Sequence, residues 1–161
     1  LVPGVGLFGL GETAKDARIA ADMAEAAVEG ISGAEAVGRF TSISEADMFD
    51  CEYWPLEVAK LGARKNLPLT GQVAVITGAA GAIGAPTARA FAQAGAEVAL
   101  LDVDEQAAHG KAETISGALA LRCDVTDTTA VRRAFDQVVA AFGGVDIVVS
   151  TAGAAWQGKI G

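Results

Sequence analysis

The sequence predicts an α/β fold, with a parallel sheet over residues 72–161 preceded by a mainly helical stretch over residues 1–62. Three observations carry this expectation. After residue 71, short apolar runs alternate with longer stretches of helical spacing, the grammar of βαβ units. The first of those runs opens into "VITGAAGAIGAP", Val75 to Pro86, a turn crowded with small residues. Ahead of it, "ARKNLPLTG", residues 63–71, has the basic, Asn, Pro and Gly makeup of a connector, and the domain boundary is expected there.

Each element follows from its local pattern. Thr13 with Asp16 reads as a capping box, and Ala17, Ala20, Ala21, Ala24, Ala27, Val28 and Ile31 then recur at helical spacing. Gly30 and Gly33 are expected to end that helix. A second helix opens at Ser44, with Asp47 three residues on, and runs through "MFDCEYW" to Pro55, expected as a break or a fresh N-terminal turn. Beyond the connector, "QVAVIT" is a buried strand, "AIGAPTARAFAQAG" a helix and "EVALLD" a strand. Residues 104–115 form a helix interrupted by Gly110, "ALALRCD" a strand, and "DTTAVRRAFDQVVAAFGG" a helix. "VDIVVS" is a fourth strand, and its continuous apolar run is that of a strand covered on both faces.

Composition narrows the function classes. With 52% hydrophobic residues there is ample material for a core, and 12 basic against 20 acidic residues give a formal charge of −8. That charge works against nucleic acid or an anionic membrane as partner and leaves a small-molecule substrate as the expected ligand class. Cys51 and Cys123 stand far apart with no CxxC spacing, which predicts a reducing, cytoplasmic setting. His109 is the only histidine, too few for a zinc centre of three or four ligands, so no metal site is expected. The N-terminal apolar run is short and broken by glycine, neither a signal peptide nor a membrane span.

The glycine turn sits between the first strand and first helix of a βαβ run, the place where an open parallel sheet binds ligands. A helix N-terminus there presents unpaired N–H groups and the positive end of the dipole to an anion. Gly78, Ala80, Gly81, Ala82, Ile83 and Gly84 are therefore candidate phosphate-binding residues, against the alternative of a turn that merely packs. Asp102, followed by Val103, ends the second strand. A carboxylate there can accept both hydroxyls of an adenosine ribose and repel a 2′-phosphate, which predicts NAD as cofactor. The competing role is a helix cap, which Asp104 could fill and so leave Asp102 free. Asp124 and Val125 end the third strand, where a carboxylate could accept from the adenine amino group or simply shape a turn. "STAG" ends the fourth, placing Thr151, Ala152 and Gly153 where backbone must approach the cofactor.

These positions together resemble the short-chain dehydrogenase/reductase family. "TGAAGAIG" matches its Thr-Gly-x-x-x-(Gly/Ala)-x-Gly loop, "CDVTD" its adenine-contacting segment, and "STAG" stands where that family has Asn-Asn-Ala-Gly. The resemblance covers residues 71–153 and implies a Rossmann-like sheet, of which the first four strands are present. Gly78, Gly81 and Gly84 also spell the spacing of the related sugar-nucleotide epimerase branch. The family's catalytic Tyr-x-x-x-Lys pair is not found, since the only tyrosine, Tyr53, precedes the sheet and is followed four residues on by Glu57. No residue is assigned a catalytic role.

The opening stretch, "VPGVGLFGLGETAKDARIAADMAEAAVEGI" with "ISEADMFDCEYWPLEVAKL", resembles the end of a class II aldolase/adducin domain. The order of the two parts is that of the bifunctional rhamnulose-1-phosphate aldolase/short-chain dehydrogenase family. The resemblance implies an internal stretch of a longer, homo-oligomeric enzyme of deoxy-sugar catabolism, with its aldolase metal ligands and dehydrogenase catalytic residues elsewhere. A non-catalytic nucleotide-binding module and a structural α/β segment are the alternative classes. The ligand count makes one expectation measurable: the purified chain should hold no stoichiometric zinc, and tightly bound zinc in metal analysis would contradict it.

Overall fold

The computed structural model describes residues 1–53 and 67–153. The chain falls into two compact units, Leu1–Gly11 with Ala17–Asn66, and Glu12–Asp16 with Leu67–Gly161.

Helix α1, Ala14–Val37, starts as its cap predicts. The Thr13 hydroxyl donates to Asp16 Oδ2 at 2.8 Å and accepts the Asp16 N–H at 3.2 Å. Contrary to expectation, the helix does not stop at Gly30 or Gly33. A glycine inside a helix costs about 1 kcal/mol relative to alanine without breaking the hydrogen-bond ladder, and the good helix formers Ala34, Glu35 and Ala36 follow. The stop comes at Gly38, whose N–H donates to Ala34 O at 2.9 Å. Helix α2, Glu45–Glu52, is capped by Ser44, whose hydroxyl accepts the Asp47 N–H at 3.1 Å and donates to its carboxylate at 2.7 Å. Phe49 and Tyr53 stack one turn apart, with ring centroids 4.6 Å apart. The expected break at Pro55 lies outside the described residues.

The second unit carries the sheet. Strands β1 (Val73–Thr77), β2 (Glu97–Asp102), β3 (Leu119–Arg122) and β4 (Ile147–Ser150) are all parallel, in the order β3-β2-β1-β4. Helices α3 (Gly84–Gln93), α4 (Glu105–Ala112) and α5 (Thr128–Phe142) form the crossovers. Gly110 does not interrupt α4, which runs through it to Ala112.

Period-two alternation divides the core in two. Ala74 and Ile76 of β1, Val98 and Leu100 of β2 and Ala120 of β3 face Ala88 of α3 and Ala108 and Ala112 of α4. The intervening Val73, Val75, Ala99 and Leu101 face Ala134 and Val138 of α5. With helices on both faces, every residue of β1 is buried. Alanine dominates the helix faces, which lets backbone approach backbone.

β4 departs from the sequence expectation. Ile147 and Val149 are half-buried against the first cluster, while Val148 is 55% exposed. The reason is the path of α5, which packs over β2 and β3 and leaves that side of β4 uncovered among the described residues. Asp146 anchors the start of the strand, its N–H donating to Val73 O at 3.0 Å and its carboxylate accepting the Val73 N–H at 2.8 Å.

Position in the sheet sets the expected cost of truncation. Leu100→Ala, in the buried centre, should destabilise the chain by about 2–5 kcal/mol. Val148→Thr, on the uncovered side of β4, should stay within about 0.5 kcal/mol of the original. Denaturant unfolding of the two variants checks both, and equal losses would contradict this packing.

Candidate functional site

All four strands run the same way, so their C-terminal ends meet along one edge of the sheet. A cavity of about 600 Å³ opens there, within the range of small-molecule sites. Four stretches that follow the strands build its walls.

The turn after β1 forms the first wall. Gly78 takes φ +64°, a left-handed conformation that a residue with a side chain rarely adopts. The next three N–H groups are used internally: Ala79 donates to Leu101 O at 3.2 Å, Ala80 to Asp102 Oδ2 at 2.9 Å, and Gly81 to Gly78 O at 3.1 Å. The three after them differ. Ala82, Ile83 and Gly84 donate their N–H groups to no acceptor among the described residues, and no side chain caps α3. Gly78, Ala80 and Gly81 line the cavity, whereas Ala82, Ile83 and Gly84 stand just outside it at the helix end. Gly84 is buried under the loop, where a Cβ would meet Gly78 O and lie 2.7 Å from Ala79 Cα.

Asp102 and Val103 follow on the second wall. Asp104 does cap α4, accepting the Ala107 N–H at 2.9 Å, but this does not leave Asp102 free. One Asp102 oxygen accepts from Ala80 and the other accepts the Asp104 N–H at 3.1 Å, so the carboxylate ties the glycine turn to the end of β2. Each oxygen retains a further lone pair for a ligand.

Asp124 and Val125 form the third wall. Asp124 Oδ1 accepts both the Thr126 N–H, at 2.9 Å, and the Thr126 hydroxyl, at 2.7 Å. The Thr126 hydroxyl first, and then its N–H, hold the Asp124 carboxyl below the usual carboxylate range. Its Oδ2 accepts no hydrogen bond among the described residues. Cys123 lies buried beneath, and that burial pushes its thiol up, with Asp124 and Asp127 adding to the effect.

The fourth wall is Thr151, Ala152 and Gly153. The Thr151 hydroxyl donates to Thr77 O at 2.5 Å, and the Ala152 N–H donates to the Thr77 hydroxyl at 3.2 Å.

Asp104, Ala107, Cys123 and Thr126 also line the cavity, although the sequence marks none of them individually as a binding residue. Thr126 had a signal, the Asp-x-Thr spacing of a side-chain-stabilised turn. Among the described residues the lining carries three carboxylates, Asp102, Asp104 and Asp124, and no Lys, Arg or His. Among the described residues no cluster of His, Cys, Asp or Glu could hold a metal ion, and no helix is long and apolar enough to cross a membrane.

The short chain dehydrogenase model matches residues 72–161, more than half of the chain. The chain belongs to the short chain dehydrogenase family. Residues 1–61 match the model for aldolase class II, second domain, so an aldolase-type stretch precedes the dehydrogenase one. An uncharacterised oxidoreductase of Bacillus subtilis, YuxG, is 36% identical over 96% of this chain and 24% of its own length. D-threitol dehydrogenase of Mycolicibacterium smegmatis is 42% identical over 62% of this chain and 40% of its own. Among solved structures, hydroxysteroid dehydrogenase from Escherichia coli superposes with a TM-score of 0.53 at 39% identity, over 55% of this chain and 40% of that one. The chain thus spans about a quarter to two-fifths of these relatives.

The loop geometry of this short chain dehydrogenase segment separates two of its glycines. Gly84→Ala drives a methyl group into loop backbone and should cost about 1–3 kcal/mol, as overpacking does. At Gly81 a Cβ would meet only Gly78 O, at 3.2 Å, so Gly81→Ala should cost less than about 1 kcal/mol. Thermal unfolding orders the pair, and a reversed order would contradict the loop as described.

Proposed function

We propose that residues 72–161 are the NAD-binding half of a dehydrogenase. In the whole protein it would pass a hydride between NAD and a small hydroxyaldehyde or sugar alcohol. The observation that supports the reading is Asp102 on the cavity wall together with three N–H groups, outside the lining at the start of α3, that have no acceptor among the described residues. Ala82, Ile83 and Gly84 would hold the pyrophosphate at the uncapped N-terminus of α3, where the helix dipole favours an anion. Gly78, Ala80 and Gly81 let the dinucleotide approach backbone.

Asp102 would accept the adenosine ribose hydroxyls on its remaining lone pairs. Asp124 would accept from the adenine amino group on Oδ2, with the exposed Val103 and Val125 as apolar contacts for the ring. Thr151, Ala152 and Gly153 would support the other end of the cofactor. Bound NAD supplies the hydride-accepting ring, and these residues bind and orient it. The proton-transferring tyrosine and lysine of the family have no counterpart in the 161 residues, so no catalytic residue is assigned here.

The aldolase-type stretch ahead of the dehydrogenase supports a two-activity enzyme. One part would cleave a deoxyketose phosphate of the rhamnulose type, and the other would oxidise an aldehyde or sugar alcohol. The likeness to D-threitol dehydrogenase supports a polyol or small sugar as substrate class.

Choice of cofactor provides the test. A 2′-phosphate would bring a charge of about −1.5 to −2 beside Asp102 into a lining without a cation among the described residues. Calorimetric titration should therefore give binding of NAD and much weaker binding of NADP. Asp102→Asn keeps an acceptor for the Ala80 N–H while removing the charge, and should narrow the preference. Asp102→Ala also releases the turn and should weaken NAD by about 1.5–3 kcal/mol, the worth of a charge-assisted hydrogen bond. Equal affinity for both dinucleotides in the unmutated chain would overturn the assignment.

A further inference from the structure

We propose that Pro86 is a positioning residue that leaves the middle of the three phosphate-facing N–H groups, that of Ile83, unfixed, and so sets how readily the dinucleotide is released; this rests on the NAD-binding reading above. The three N–H groups belong to successive peptide units, and two of those units are held by their carbonyls. The Gly81 carbonyl, in the same unit as the Ala82 N–H, accepts the Ala85 N–H at 3.1 Å. The Ile83 carbonyl, in the same unit as the Gly84 N–H, accepts the Thr87 N–H at 3.2 Å and the Thr87 hydroxyl at 2.8 Å. The carbonyl between them, that of Ala82, accepts no hydrogen bond among the described residues.

The reason is the residue type at position 86. In the register of the two rungs on either side, the Ala82 carbonyl would accept the N–H of the residue four positions on. That residue is Pro86, which has no N–H and whose ring, in a helix, crowds the carbonyl four residues back. Side chains do not make good the loss. Ile83 is 69% exposed and Ala82 is exposed too, and no side chain caps the helix. Among the described residues the Ala82–Ile83 peptide unit is therefore unpaired at both its oxygen and its N–H, between two units that the helix ladder holds.

A donor in this state turns to meet an anion, and ordering it becomes part of the cost of binding. The turn then grips through its outer amides and gives up affinity at the inner one. That suits a dinucleotide that has to leave after each hydride transfer, because release of a bound molecule sets many turnover rates.

Pro86→Ala restores an N–H at this position, and Pro86→Leu restores it with a different side chain. Two measurements on the 161-residue chain test the proposal. Without ligand, backbone amide relaxation should show the Ile83 N–H less ordered than those of Ala82 and Gly84, and both variants should bring it to their level. NAD should then bind roughly three- to tenfold more tightly to both variants, the range of one neutral hydrogen bond, with the gain in slower dissociation. An Ile83 N–H as ordered as its neighbours in the unmutated chain would overturn the proposal. So would variants whose melting temperature moves while the order of Ile83 or the affinity for NAD does not. If the unmutated chain binds no NAD, the functional reading fails and takes the role in release with it, and relaxation alone decides whether Pro86 frees the Ile83 amide. If Pro86→Ala does not fold, Pro86→Leu takes its place.

Discussion

The sheet unit depends on β1 being fixed from every side. It pairs with β2 on one edge and β4 on the other, and both of its faces are buried. Its two ends are held by side chains as well as by the ladder, Val73 by Asp146 and Thr77 by Thr151. A strand held this way cannot shift register without burying a polar backbone group unpaired, an error worth several kcal/mol. The turn that leaves it therefore starts from a fixed point, and the cavity at the strand ends inherits that rigidity.

Asp102 extends the constraint from β1 to β2. Its carboxylate fastens the Ala80 N–H to the end of the neighbouring strand, while Asp104, two residues on, takes the capping duty at α4. This division matters because a carboxylate spent on capping would point along its helix instead of into the cavity. One residue then serves the shape of the turn and the negative charge of the wall together. Substituting it changes both, which is why charge and acceptor have to be removed in separate variants before either effect can be read.

Much of this was legible in the sequence wherever a short-range rule was strong. The caps at Thr13 and Ser44 and the strand "EVALLD" stand where the pattern put them. So does the meeting of "TGAAGAIG", Asp102, Asp124 and "STAG" at one edge, because parallel strands bring their following turns together. Glycine does not end the helix at Gly30 or Gly33 or interrupt it at Gly110, since a cost of about 1 kcal/mol is easily outweighed by helical neighbours. β4 reads as a twice-covered strand because apolar content reports what a residue prefers, whereas among the described residues Val148 is left exposed by the path of α5, a long-range fact. The hydrogen bonds of Asp102 with Ala80 and Thr151 with Thr77 join residues distant in sequence, and no local pattern encodes them.

The amides of the turn divide according to these constraints. Those of Ala79, Ala80 and Gly81 are spent on the protein's own carbonyl and carboxylate oxygens, and those of Ala82, Ile83 and Gly84 are not. The first three set the shape of the turn and the next three present it, so most of the ordering entropy of the loop is met on folding and not on binding. An anion arriving at the second group finds donors that have no competing partner within the described residues. In an acidic chain with a formal charge of −8, and outside a cavity whose described lining carries three carboxylates, such a place is where the proposed phosphate would be held by backbone. In the proposed reading the lack of a cation among the described lining residues follows the same logic as the choice of Asp102: backbone would supply the attraction for the pyrophosphate, and the side chains would be left to discriminate at the ribose.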